Sequence, residues 1–150
     1  MEGDTAEWEK MVGVNVWGAL HCTRAFLPGM VARASGKVVF ISSKAGVSPS
    51  PGLAVHSGTK HMVEAVAGAV RQEVKGTGVS VGVVRPGGVA TPGYEHAAGS
   101  QASQEAASRL GCWVPPTTAG CLTPQAVAAQ VQSMVYLAMV FNTPKRYYHD

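Results

Sequence analysis

Two apolar segments of strand length, separated by a long amphipathic segment, restrict the fold of this 150-residue sequence more than any other feature. Residues 37–42 and 79–85 are nearly continuous apolar runs, which are typical of parallel strands covered on both faces. Between them, apolar residues recur at helical spacing from Met62 to Val74, and the glycines that follow end the pattern. Strand, helix and strand predict a βαβ unit with parallel strands, and hence an α/β fold.

Further helices are expected on both sides of this unit. Thr5, followed by acidic residues at positions 7 and 9, is typical of a capped helix start. Apolar residues at three- and four-residue spacing extend this helix to about Val31, with Pro28 as a break or bend and Gly36 as its end. Near the other terminus, Thr123-Pro124 predicts the start of a final helix.

The remaining segments predict one domain with a large loop. Residues 91–120 are rich in small and polar residues and lack apolar periodicity, which indicates a long flexible loop or lid with a short helix near residues 101–110. Residues 142–150 are expected to form a short closing strand or to be disordered. The length of 150 residues is that of a single domain with its own core.

The composition excludes several classes of partner. Hydrophobic residues make up 46% of the chain and charged residues 14%, as in a globular protein, and the net charge of +3 is spread without a basic run that would bind nucleic acid. No run of 18 apolar residues predicts a membrane span, and the polar, acidic start is unlike a secretory signal. Three cysteines without a CxxC pair predict reduced thiols in the cytoplasm or another reducing compartment.

Polar residues follow both predicted strands at the edge where ligands bind in parallel sheets. Ser42 and Ser43 end the first strand, and Pro86-Gly87-Gly88 closes the second. His56 and Lys60 lie four residues apart at the start of the long helix, so their side chains share one helix face. If the intervening loop folds back, this pair meets Ser43.

Four ordered motifs resemble the short-chain dehydrogenase/reductase family. They are Val14-Asn15-Val16-Trp17-Gly18, the strand from Gly36 to Ser43, the segment His56-Ser-Gly-Thr-Lys60 that starts thirteen residues after Ser43, and Val84-Arg-Pro-Gly-Gly-Val-Ala-Thr91. The resemblance covers the chain from about Trp8 to Pro92. It implies a partial Rossmann-like, doubly wound parallel sheet.

The resemblance also implies an activity and residue roles. The family transfers hydride between NAD or NADP and a carbonyl or alcohol substrate. Ser43 would hydrogen-bond the substrate carbonyl, and Lys60 would hold the nicotinamide ribose and lower the pKa of the neighbouring acid. Asn15 would position a water that relays protons to Lys60. The further contacts to the cofactor would come from His56, Pro86, Gly87, Val89 and Thr91.

Two departures from the family pattern bear on activity. His56 occupies the position of the family's catalytic tyrosine, four residues before Lys60. The glycine-rich turn that binds the cofactor phosphates is absent from the sequence, as is the residue that selects NAD or NADP. About three βα units, roughly 100 residues, would be needed to supply them, so the sheet is expected to be truncated on its N-terminal side.

The histidine is expected to be a poor catalytic acid. A phenol with a reference pKa of about 10 donates its proton and survives as a phenolate beside Lys60, whereas neutral imidazole is a much weaker acid. The imidazolium would be competent, but the Lys60 cation lowers its pKa and leaves little of it at neutral pH. Losing tuned acid–base catalysis typically slows a reaction about 10²- to 10⁴-fold.

Alternative interpretations stay open at this level. A truncated, non-catalytic copy would act as a partner subunit, pairing as a homo-oligomer through the two long helices, residues 5–31 and 56–75. The chain would equally be explained as a fragment of an ordinary enzyme. The remaining histidines have no metal-ligand spacing, and Trp17, Phe26 and Phe40 are predicted to be core aromatics.

Overall fold

The computed structural model describes residues 3–91, 105, 109 and 121–141. Within them, helix α1 (Thr5–Val12), a π-helical turn (Gly13–Trp17) and helix α2 (Gly18–Ala32) follow one another without interruption. Strand β1 (Gly36–Ile41), a 3₁₀ turn (Lys44–Gly46), helix α3 (Ala54–Glu73), strand β2 (Val79–Val84) and helix α4 (Pro124–Phe141) complete the described structure. Three predictions lie wholly or mostly outside the described residues: the loop at 91–120, its helix near 101–110 and the tail at 142–150. The prediction of a single domain is not tested by the described residues.

The first helix differs from its prediction in three details. Asp4, not Thr5, is the N-cap, because its carboxylate accepts a hydrogen bond of 2.9 Å from the Ala6 amide. The helix does not break at Pro28. Leu27 and Met30, on either side of that proline, pack against a buried cluster on α3 and β2, and this contact holds the last turns together.

The predicted end of the helix at Gly36 is also wrong. α2 ends at Ala32, and the chain reverses through Ala34, which has a positive φ of 51°. Gly36 is the first residue of β1, and it lies so close to Met30 that a Cβ there would overlap the Met30 side chain. A glycine is needed for this close approach rather than for capping.

The sheet confirms the α/β prediction. β1 and β2 pair in parallel with Gly36 opposite Val79 and Ile41 opposite Val84, and α3 connects them. On one face, Phe40 packs with Val63 and Ala67 of α3 in a buried cluster. On the other face lies α4, whose Met134 approaches Gly82. Because the two strands are parallel, their carboxyl ends lie at one edge of the sheet.

The aromatic predictions are correct for one residue only. Phe40 is 5% exposed and central to the core, whereas Trp17 is 56% and Phe26 65% exposed. The prediction that Trp17 and Phe26 are core residues is therefore wrong. Trp17 instead stacks on His21 with ring centroids 5.7 Å apart.

Among the described helices, none is both long and apolar enough to cross a bilayer.

A groove of about 390 Å³ runs between α2 and β1, lined by residues such as Cys22, Phe26 and Lys37. None of the predicted site residues lines this groove. The candidate site must therefore be sought at the carboxyl edge of the sheet.

Candidate active site

Backbone hydrogen bonds carry the parallel pairing past the strand ends and bring the two predicted site loops together. The Ser42 amide donates to the Val84 carbonyl at 2.8 Å, and the Lys44 amide donates to the Pro86 carbonyl at 2.9 Å. Ser43 lies between these two bonds. The serine loop and the Pro86-Gly87 turn are therefore neighbours, as their positions after parallel strands predicted.

Ser43 caps the 3₁₀ turn. Its backbone is extended, with φ −159° and ψ 160°, and its hydroxyl oxygen accepts a hydrogen bond of 3.1 Å from the Ala45 amide. The side chain is half-buried. Since this hydrogen bond uses only the oxygen, the hydroxyl proton remains available for donation to another acceptor.

Lys60 reaches back across the site from α3 to β1. Its Nζ donates to the carbonyl oxygen of Ile41 at 3.1 Å, at the end of β1 and two residues before Ser43. Burial lowers the pKa of the Lys60 ammonium from its usual value of 10.5. The carbonyl contact orients the ammonium and leaves two of its protons for other acceptors.

His56 lies half-buried in the first turn of α3. Burial, and then the positive charge of Lys60, lower the pKa of the His56 imidazole from its usual value of 6.5. Both influences favour the neutral ring at neutral pH. Among the described residues, no hydrogen bond joins the His56 ring to Ser43 or to Lys60.

Asn15 lies in the π-helical turn, a local widening of the helix that often marks functional sites. Its Nδ2 donates to the Thr59 hydroxyl at 3.1 Å, and that hydroxyl donates to the His56 carbonyl at 2.8 Å. Thr59 is only 4% exposed. Asn15 is thus adjacent to the site through the residue before Lys60, and its expected water relay to Lys60 stays a prediction.

Hydrogen bonds to Leu122 hold the segment that follows β2. The Ala90 amide donates to the Leu122 carbonyl at 3.0 Å, and the Leu122 amide donates to the Gly88 carbonyl at 2.8 Å. Val89 thereby forms a parallel bridge with Leu122, just before α4. Thr91 lies beside it, with its hydroxyl 3.5 Å from the Val89 carbonyl oxygen.

Two side chains near the site were not predicted from the sequence. Thr59 links Asn15 to α3, and Glu64 forms a two-point ion pair with Arg85 at 2.8 and 2.7 Å. Glu64 is four residues after Lys60, which places it on the same helix face as His56 and Lys60. That spacing was the available signal, whereas its partner on another element was not visible in the sequence.

Comparison with known proteins agrees with the motif order. A family model described as short chain dehydrogenase matches residues 1–101. The chain is 41% identical over 125 residues to glycine betaine reductase ATRR of Emericella nidulans, covering 83% of this chain and 9% of that protein. It is 37% identical over 102 residues to the uncharacterized oxidoreductase YvrD of Bacillus subtilis, covering 66% of this chain and 39% of YvrD.

Solved structures show the same fold. A closed form of serine dehydrogenase complexed with NADP+ matches with a TM-score of 0.74 and 28% identity, over 89% of this chain and 52% of that one. A gluconate 5-dehydrogenase from Beutenbergia cavernae, described as putative and NAD(P) dependent, matches with a TM-score of 0.68 and 27% identity, over 91% of this chain and 51% of that one. The chain thus spans about half the length of these neighbours and less of its curated relatives.

The names of these proteins are those of oxidoreductases, and the partial Rossmann-type sheet expected from the motifs is the fold that they share with the present chain. The family model covers more than half of the sequence and includes all the predicted site residues. This chain therefore belongs to the short-chain dehydrogenase family.

Proposed function

We propose that the protein containing this chain is an NAD(P)-dependent oxidoreductase that transfers hydride between a nicotinamide and a carbonyl or alcohol substrate, with activity lowered by His56. The observation that carries the proposal is the meeting of the Ser43 loop, Lys60 and the Pro86-Gly87 turn at one edge of the sheet. Two hydrogen bonds support it, from Lys60 Nζ to the Ile41 carbonyl and from the Lys44 amide to the Pro86 carbonyl.

The residues present fit the nicotinamide end of such a cofactor. Among the described residues, no atom lies within 4 Å of a Cβ built on Gly87, so these residues leave space beside the Pro86-Gly87 turn. Two Lys60 protons are available for the ribose hydroxyls. Val89 and Thr91 follow the turn and would contact the same end. When bound, the nicotinamide supplies or accepts the hydride.

The protein's own groups would orient the substrate and move the proton. The Ser43 hydroxyl, whose oxygen already accepts from the Ala45 amide, would donate its proton to the substrate carbonyl oxygen. The Lys60 charge favours negative charge on a neighbouring oxygen. His56 would supply the proton at that oxygen. Because burial and Lys60 lower its pKa, the neutral ring supplies it slowly at neutral pH.

The choice between NAD and NADP rests on the phosphate end of the cofactor, for which the sequence offers no glycine-rich turn. The NADP named with both solved neighbours supports a nicotinamide dinucleotide as the class of cofactor. We propose NAD or NADP on this basis. A reducing intracellular compartment follows from the same proposal, since the cofactor is found there and Cys22 is an exposed thiol.

The test is His56→Tyr in the complete natural polypeptide that contains these residues. NADH and NADPH consumption is followed with a panel of small ketones and aldehydes, and cofactor binding is measured by calorimetry. Turnover is expected to rise about 10²- to 10⁴-fold, because a tyrosine beside Lys60 is a tuned acid. His56→Phe is the matched control and should show no gain. If neither NADH nor NADPH binds at millimolar concentration, the proposal is overturned.

A second candidate function, a non-catalytic subunit, is favoured by the exposed apolar surface of the two long helices. Val14 is 68% and Trp17 56% exposed in the first, and Met62 is 46% exposed in the second. We propose that this surface pairs with a second copy of the chain. A light-scattering mass of two chains at micromolar concentration, reduced to one by Trp17→Arg, would support pairing. A mass of one chain for the unchanged protein would contradict it.

A further inference from the structure

Glu64 and Arg85 join α3 to the end of β2 at the site. Arg85 Nε donates to Glu64 Oε1 at 2.8 Å, and Nη2 donates to Oε2 at 2.7 Å, so the planar guanidinium meets both carboxylate oxygens. The Glu64 side chain is 16% exposed and that of Arg85 47%. Glu64 lies one helical turn after Lys60, and Arg85 lies immediately before the Pro86-Gly87 turn. The pair therefore links two of the segments that form the site.

Ser42 adds the third segment. Its hydroxyl is buried and has one proton to donate. It donates to the Lys60 carbonyl oxygen at 3.5 Å, a long hydrogen bond that links the Ser43 loop to α3. The hydrogen bond from Arg85 is the largest cause that lowers the pKa of Glu64. Glu64 is thus ionised at neutral pH and bonded to Arg85, one helical turn after the Lys60 carbonyl that Ser42 contacts.

These contacts lie beyond the ends of the two strands, where the regular strand pairing has stopped. The strands are paired up to Ile41 and Val84, and beyond them only the Ser42 and Lys44 amides continue the pairing. Ser43, Lys60 and the Pro86-Gly87 turn lie on three different segments at this edge. The Glu64 carboxylate on α3, bonded to Arg85, restricts how α3 and the Pro86-Gly87 turn move relative to one another, and the hydrogen bond from the Lys44 amide to the Pro86 carbonyl extends this restriction to the Ser43 loop.

We infer that Glu64 is a positioning residue, which sets the position of Lys60 relative to the Pro86-Gly87 turn through its two-point bond to Arg85. This role rests on the proposed oxidoreductase function for its purpose, but its structural part does not require activity. Glu64 itself touches neither substrate nor cofactor in this role. Removing its charge should loosen the edge of the sheet while the core stays intact.

The test is Glu64→Gln, with Glu73→Gln as a matched control. Glu73 is an exposed residue of the same helix, so its substitution removes the same charge without a site contact. Amide hydrogen exchange is followed by NMR at Ser42 and Lys44, which report the pairing beyond the strands. In Glu64→Gln, exchange at these two amides should accelerate about tenfold, as expected for loss of one charge-assisted hydrogen bond. In Glu73→Gln it should not change.

Two further variants make the test decisive. Arg85→Lys keeps the charge but loses the two-point contact, so exchange should accelerate to an intermediate extent. The exchanged pair, Glu64→Arg with Arg85→Glu, should restore protection at both Ser42 and Lys44. If exchange rises equally at Ser42, Lys44 and the core amide of Ala67, Glu64 contributes only to global stability and the inference is overturned. If exchange changes at none of them, it is overturned as well.

Turnover separates this inference from the proposed function. In a polypeptide that carries His56→Tyr, Glu64→Gln should lower kcat about tenfold or more, because the reacting groups are misplaced, while substrate KM changes less. If the edge amides respond as expected but no nicotinamide binds, the proposed function fails and the positioning role stands. If nicotinamide is turned over and Glu64→Gln alters neither kcat nor edge exchange, the positioning role fails alone.

Discussion

Gly46, the last residue of the 3₁₀ turn next to Ser43, is buried against α3, and Gly46→Ala is expected to disturb this contact. A Cβ at residue 46 would lie 2.5 Å from the Ser42 hydroxyl oxygen and 3.0 Å from the Lys60 carbonyl oxygen. Contacts below 3.0 Å do not occur at real Cβ atoms, so the first must open by about 0.5 Å. The Ser42 side chain can rotate away, but the Lys60 carbonyl belongs to the α3 backbone and cannot.

The turn must therefore move away from α3. Inserting one methyl group into such a packed contact costs about 1–3 kcal/mol of unfolding free energy, and here the displaced segment carries Ser43. Ser43 would shift relative to Lys60 by a few tenths of an ångström. We expect Gly46→Ala to be destabilised by this amount and to bind nicotinamide more weakly than the unchanged protein.

Gly58→Ala is the matched control. Gly58 lies in α3, in the segment between His56 and Lys60, and a Cβ there would meet no atom within 4 Å. Replacing a glycine by alanine inside a helix stabilises by roughly 0.5–1 kcal/mol. Urea unfolding followed by circular dichroism should thus give changes of opposite sign for the two variants. Equal changes, or an unchanged Gly46→Ala, would refute the packing argument.

Two other outcomes follow from the described geometry. The pKa of His56 is lower in the folded state than its usual value of 6.5, which it has in the unfolded state. At a pH between the folded and the unfolded pKa, the unfolded state therefore binds more protons. The free energy of unfolding should rise with pH up to about 6.5, by at most about 1.4 kcal/mol per pH unit. In His56→Gln, thermal melts across this pH range should lose that part of the slope, and an unchanged slope would exclude His56 as its source. Gly76 and Gly78 both have positive φ, near 80°, but only at Gly78 would a Cβ overlap the Ala34 carbonyl oxygen. Gly78→Ala should therefore be destabilised clearly more than Gly76→Ala, which should cost about 1–2 kcal/mol, and equal urea midpoints would contradict this.

The βαβ unit was predictable because its signals are local and repeated. Each strand is a continuous apolar run, α3 is bounded by glycines, and both features act over many residues at once. The position of the Ser43 loop beside the Pro86-Gly87 turn followed from one rule, that parallel strands end at the same edge. The fold class and the meeting of these segments therefore needed no knowledge of individual contacts.

Details that depend on a second element were not predictable in the same way. Trp17 and Phe40 are both aromatic, but Phe40 is buried against Val63 and Ala67 of α3, whereas Trp17 is exposed. The partner of Glu64 lies 21 residues away, just after β2, and that of Asn15 lies 44 residues away on α3. Such pairs are fixed by packing between elements, which helical spacing does not specify.

At residue 56, the described contacts that hold the site together use the backbone, whereas any acid chemistry would use the side chain. The described hydrogen bonds at the start of α3 use the backbone of residue 56: the Thr59 hydroxyl donates to its carbonyl oxygen, and Asn15 donates to that hydroxyl. Lys60 is held by the Ile41 carbonyl. None of these contacts involves the imidazole ring. A tyrosine could therefore replace the histidine without removing a described hydrogen bond, and its phenol would experience the same burial and the same Lys60 charge. For a cation these two influences both lower the pKa, whereas for a phenol the Lys60 charge lowers it and burial raises it. The same surroundings thus favour a phenol, which is neutral as an acid and becomes an anion when it loses its proton. They disfavour the imidazolium cation, which is the form of histidine that is a competent acid.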